Sequence, residues 1–170
     1  MLTFKSLLSI TTKENERKGL LANKVEDMLN TVVRQIAFFE FEKRIHHQRK
    51  IKELSVDEIC EIWIDVQKKS LGPSIKFNDD YKYFWSYIPH FIHSPFYVYA
   101  YAFGDCLVNS LYNVYESKLA KFEDKYITLL ESGGSDTYDK LLKPFGLNPK
   151  KKDFWQKGVN VIKNLSLIHI

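Results

Sequence analysis

No apolar run in this 170-residue sequence reaches the roughly 18 residues that a membrane-spanning helix requires. Residues 1–10 hold one lysine among apolar side chains but no small-residue cleavage site, so they make a poor signal peptide. Cysteine is nearly absent. Cys60 and Cys106 both fall inside helical patterns, which favours buried thiols over a disulfide and fits a reducing cytoplasm. A dominant sign of charge is also lacking: 25 basic against 21 acidic side chains leave +4, too mild to imply nucleic acid. The lysines at 140, 143, 150, 151, 152 and 157 read as a solvated face, because aromatic interleaving there is limited to Phe145, Phe154 and Trp155. Ser132-Gly133-Gly134-Ser135 lacks the lysine of a phosphate-binding loop and reads as a helix stop. There is no internal repeat and no alternating stretch of strand length.

What is present is a chain with the length of one domain, 45% hydrophobic and 15% aromatic, enough for a real core. Its pattern predicts an all-α fold of about seven or eight helices. A short apolar helix covers residues 2–9. A long one follows at about 14–49, with Leu21, Val25, Met28, Val32, Ile36 and Phe39 down one side. Its last turns are basic (Lys43, Arg44, His46, His47, Arg49, Lys50), which suits the negative end of a helix dipole. Ser55-Val56-Asp57-Glu58 is a capping box for a helix that buries Ile59, Trp63 and Val66 and stops at Leu71-Gly72-Pro73. Asn78 with Asp79 and Asp80 opens a short aromatic helix through Tyr87. Further helices are predicted at about 95–117, at 121–131 before Gly133-Gly134, and from a cap at Ser135 or Asp136 to Pro144 and Gly146. The last runs from Lys150 to Leu165, with Phe154, Trp155, Val159 and Ile162 as its apolar side.

The densest aromatic stretch is residues 88–104. Pro89 holds Ile88 extended, and Ser94-Pro95 has the form of a helix start, the serine as cap and the proline in the first turn. His90 to His93 are therefore expected to be a connector, feeding a helix that opens with Phe96 and Tyr97. On that helix Phe96, Ala100, Phe103, Leu107 and Leu111 are expected to face the core, and Tyr97, Tyr101, Gly104, Val108 and Tyr112 to form a neighbouring stripe. Periodicity leaves two readings of the tyrosines open. They are core aromatics with their hydroxyls at the rim, or with His90 they line a polar cleft at the helix N-terminus.

Ile88-Pro89-His90-Phe91, Pro95-Phe96-Tyr97-Val98-Tyr99, Tyr101-Ala102 and Gly104 together resemble the substrate-binding segment of the oligoendopeptidase F family, zinc metallopeptidases related to thimet oligopeptidase. Upstream, Leu21-Ala22-Asn23-Lys24-Val25-Glu26-Asp27, Val33-Arg34-Gln35 and Phe39-Glu40-Phe41-Glu42 are similar to the long helix that follows that family's metal site. Downstream, Leu130-Glu131-Ser132-Gly133-Gly134-Ser135 resembles its Ser-Gly-Gly-Ser turn. The resemblance covers roughly residues 15 to 145 and implies a cytoplasmic enzyme that cleaves short oligopeptides. It implies that His90, Tyr97 and Tyr101 bind substrate and stabilise the oxyanion, donors of this kind contributing a factor of about 100 to 1,000 each. Tyr99 matches the family pattern too, with a packing role as good a reading as substrate binding. His93 stands where the family varies and receives no role.

The family's zinc is held by His-Glu-x-x-His plus a later glutamate. None of His46, His47, His90, His93 and His169 belongs to such a motif. The His90/His93 pair is expected on a connector, and the Glu42/His46 pair on a solvated helix end; neither supplies the three ligands that zinc wants. Zinc is accordingly expected in the intact enzyme and no metal ligand in this chain. The whole of 1–170 reads as a single helical domain, the C-terminal part of a larger catalytic domain, inactive in isolation for want of zinc ligands and general base. Its implied partners are oligopeptide substrate and the missing metal-binding portion, with exposed apolar surface inviting self-association. The tail after Lys143 departs from the family, and residues 166–170 read as irregular or foreign. The alternative is a non-catalytic helical module that holds a peptide or partner helix in a Tyr-lined groove.

Overall fold

The structure, a computed structural model, describes residues 1–167. Helix α1 is Leu2–Ile10, α2 Glu14–Leu29, α3 Gln35–Arg49, α4 Val56–Leu71, α5 His90–His93, α6 Tyr99–Glu116, α7 Phe122–Ser132, α8 Tyr138–Leu141 and α9 Lys152–Leu167. A π-helical turn, Asn30–Arg34, lies between α2 and α3, and 3₁₀ segments occupy Asp79–Tyr87 and Lys143–Phe145. No strand occurs among the described residues; the fold is all-α. Because α5 and α8 are single turns of four residues, the number of longer helices agrees with the sequence pattern. Residues 168–170, His169 among them, lie outside the described residues, whereas Ser166 and Leu167 close α9 and are not an irregular tail.

Local chemistry sets many of the boundaries. At Ser55 the capping box is complete: its hydroxyl accepts the Glu58 N–H while the Glu58 carboxylate accepts the Ser55 N–H. The Asn78 side chain accepts the Tyr81 N–H and starts the 3₁₀ segment. Gly133, at φ +49, ends α7, where a side chain would be disfavoured.

The long helix predicted at 14–49 is helical throughout but not uniformly wound. Leu21, Met28 and Val32 are buried; the next buried positions are Ala37, Phe38, Phe41 and Glu42. The step from Val32 to Ala37 is five residues where an α-helix would give four, because the π turn inserts one extra. Ile36, expected inside, is consequently 51% exposed. Residues 99–116 show a similar offset. Val98, Ala102, Cys106, Asn109 and Ser110 are buried, so the expected core stripe of Phe96, Ala100, Phe103 and Leu107 is wrong by one position, and only Leu111 of it is buried. In α9, Phe154, Val161, Ile162 and Leu165 are buried, while Val159 is exposed.

The chain groups into two compact units, Leu29–Phe103 and the remainder. The core of the first is aromatic. Trp63, fully buried, meets Phe41 at 5.2 Å edge-on and Phe38 at 5.5 Å, and its indole N–H donates to the Tyr81 carbonyl at 3.0 Å. In the other unit α6 and α9 approach closely at Gly158, where a Cβ would lie 3.0 Å from the Cys106 backbone. There the Ser110 hydroxyl donates to the Phe154 carbonyl at 2.9 Å.

Candidate functional site

Segment 88–101 lies wholly within the unit Leu29–Phe103 and is tied down at several points. Ile88 and Val98 are buried at its two ends. Between them Phe91 packs on Phe38 at 5.5 Å and Phe41 at 5.1 Å, so the turn carrying His90 rests on the α3 aromatics. His90 to His93 form the one-turn helix α5, not the expected connector: the Ile92 and His93 N–H groups donate to the Pro89 carbonyl, and the Ser94 N–H to that of His90.

Helix α6 also starts later than Ser94-Pro95 implies. Its first residue is Tyr99, and residues 94–98 form a turn. Phe96 has φ +62, a left-handed backbone that costs a residue with a Cβ about 1–2 kcal/mol. Its N–H, which a helix beginning at Ser94 would direct elsewhere, donates to Glu42 Oε1 at 2.9 Å. A net hydrogen bond contributes about 0.5–1.5 kcal/mol, of the same order as the strain it opposes. The Phe96 ring sits 6.3 Å from Phe39 and 4.7 Å from His46. Phe39, Glu42 and His46 lie at three- and four-residue steps on α3, one stripe that receives Phe96.

Glu42 and His46 were expected on a solvated helix end. His46 is exposed, but Glu42 is 2% exposed and buried. Its Oε2 has no protein partner. Burial pushes its pKa above the ordinary carboxylate value, opposed by the Phe96 N–H and by the charges of His46 and His90. The Glu42/His46 spacing was a visible signal, but it suggests metal ligation; that the carboxylate caps a turn 54 residues away is not legible in the pattern.

The candidate residues come together in part. His90 Nε2 lies 3.0 Å from the Tyr101 hydroxyl, with the two rings edge-to-face at 5.7 Å. Tyr97 packs edge-on against Tyr101 at 5.6 Å. Tyr99 points elsewhere and meets Phe39 at 5.8 Å. Tyr97, Tyr99 and Tyr101 are 54%, 53% and 41% exposed, so none is a sealed core aromatic. His93 is exposed and takes no part in this cluster. When His90 Nε2–H donates to the phenol oxygen of Tyr101, the phenol hydrogen is free to point outward, and the pair presents an O–H donor at the surface.

The model of peptidase family M3 matches residues 1–161, so the match continues past Lys143, where the chain was expected to depart from the family. This chain belongs to that family. It is 34% identical to an oligoendopeptidase F homolog of Borreliella burgdorferi over 92% of its own length and 27% of the relative's. With the oligopeptidase PepF of Bacillus subtilis it shares 31% identity over 84% of this chain and 21% of that one. A crystal structure from Chlamydophila abortus, of a protein assigned as a peptidase, superposes with a TM-score of 0.87 at 28% identity, covering 97% of this chain and 28% of the other. The M3 chain thus spans about a quarter of the length of these relatives.

Within this M3 chain no three His, Cys, Asp or Glu side chains converge as a metal site among the described residues. The donors present do not fit a zinc centre, for which three protein ligands at fixed geometry are needed. No helix among the described residues is long and apolar enough to cross a membrane.

Proposed function

We propose that this chain is the substrate-binding, C-terminal part of a zinc metalloendopeptidase that hydrolyses short oligopeptides in the cytoplasm. The observation that carries the reading is the 3.0 Å contact of His90 with Tyr101, exposed and flanked by Tyr97. Attack on a peptide bond builds negative charge on the former carbonyl oxygen. A hydrogen-bonded imidazole–phenol pair held on a packed scaffold is a preorganised donor for that charge. Tyr97, against the Tyr101 ring, gives substrate an exposed aromatic edge and a second hydroxyl. Tyr99 contributes mainly by packing on Phe39.

Family membership and the two oligopeptidase relatives support an oligopeptide substrate. The metal ligands and the general base would come from polypeptide other than the described residues. The isolated 170 residues are therefore proposed to bind peptide weakly, hydrolyse none, and self-associate through exposed apolar side chains such as Ile127 and Leu130.

Titrating the isotope-labelled chain with a short, uncleaved oligopeptide tests the binding part. The His90, Tyr97 and Tyr101 resonances should shift together and saturate, and a His90→Ala variant should weaken binding. Shifts confined to other surfaces would remove the segment from substrate recognition.

A further inference from the structure

The buried acid Glu42 has no place in the function proposed above, yet it is an expensive residue to keep. Its carboxylate is removed from water with only one oxygen bonded, where an apolar side chain of the same size would pack at no such cost. What an apolar side chain could not do is accept the Phe96 N–H. We propose that Glu42 is a positioning residue for the His90–Tyr101 pair, holding Phe96 in its left-handed turn so that Tyr97 and Tyr101 meet His90 in one arrangement. The proposal deepens the peptidase reading and rests on it for its purpose, but the geometry it asserts belongs to this chain alone.

A chain of contacts carries it. The Glu42 Oε1 bond to the Phe96 N–H fixes the backbone where it departs from ordinary conformations. Phe39 and His46, on the same stripe of α3, hold the Phe96 ring, so the residue is gripped by backbone and side chain. Tyr97, next in sequence, donates its N–H to the Ser94 carbonyl at 3.1 Å and lays its ring edge-on to Tyr101. Tyr101 in turn meets His90 Nε2. Were Phe96 to relax to a right-handed backbone, α6 could extend back through Ser94-Pro95, the start the local sequence favours, and the Tyr97 side chain would turn with it. Glu42 decides against that local preference from a distant part of the chain.

The test is made on the 170-residue chain, labelled with nitrogen-15, with two substitutions. Glu42→Gln keeps an acceptor at the same place; Glu42→Met keeps the length and volume and removes the acceptor. Exchange of the Phe96 amide hydrogen should quicken at least about tenfold in the Met variant and stay near wild type in Gln, a tenfold change being the loss of one net hydrogen bond. The decisive readout is farther along: the His90 imidazole nitrogen signals, which report its bond to Tyr101, and the Tyr101 ring signals should change in Met and be restored in Gln. If Phe96 exchange quickens while His90 and Tyr101 keep their wild-type signals, Glu42 only stabilises a turn and the proposal is overturned. Should the Met variant not fold, the wild type decides: a Phe96 amide exchanging as fast as an unprotected loop residue also overturns it. None of these readouts involves hydrolysis, so failure of the peptidase reading in a kinetic assay would leave them unchanged.

Discussion

At the scale of single residues, two glutamates with opposite pKa shifts make a linked prediction. Glu58 is held down to about 2 from 4.5, chiefly by Lys52 and then by the N–H and hydroxyl of Ser55. A depressed acid binds its proton less readily when folded. The stability Glu58 contributes is therefore present above pH 4.5 and lost as pH falls toward about 2. Glu42, raised by burial, behaves in the reverse sense: its contribution is fully present below 4.5 and is lost as pH rises through the folded value. Denaturant unfolding across pH should show the Glu58→Gln deficit growing from pH 2 to pH 5. The balance between Glu42→Gln and wild type should instead shift in favour of Gln from pH 4 toward neutrality. Parallel curves for either variant would contradict the assignment. The pair also marks what was legible: Glu58 closes a four-residue signature with Ser55, and its other partner, Lys52, is six residues away, whereas the partner of Glu42 is 54 residues distant.

At the scale of elements, helices whose ends are set by adjacent residues were readable, and those overridden from elsewhere were not. The capping box before α4, the Asn78 cap and the Gly133 stop all act within one turn of chain. Ser94-Pro95 has the same local form, but Phe96 is claimed by α3, and the helix begins at Tyr99. The π turn at Asn30–Arg34 leaves the long helix unbroken yet rotates its buried face by one residue, an effect that fixed periodicity does not anticipate. Gly158 carries no local signal either, since its role depends on α6 lying against it. Gly158→Ala should gain about 1 kcal/mol of helix propensity. The added methyl has only 3.0 Å to the Cys106 backbone, which cannot fold away as a side-chain tip would, and that overpacking should cost about 1–3 kcal/mol. A lowered melting temperature is expected in a thermal scan; an unchanged or raised one would mean that α6 and α9 part easily here.

At the scale of the whole molecule, all-α class and membership of family M3 were both readable, because the resemblance rested on contiguous motifs with characteristic spacing. The arrangement of the candidate site was readable only in part. His90, Tyr97 and Tyr101 do cluster, while Tyr99, matched to the same motif, turns to Phe39. The relatives are roughly three and a half times as long, and the function proposed above asks these residues to contribute donors and not ligands. The direct measurement is steady-state turnover of a full-length oligopeptidase in which residues 1–161 of this chain replace the matching segment, with and without His90→Ala and Tyr101→Phe. Both substitutions should lower kcat by about 100- to 1,000-fold with melting temperature little changed, His90→Ala raising KM as well because it also weakens substrate binding. A kcat within a few-fold of the parent would show that the pair does not act in the transition state.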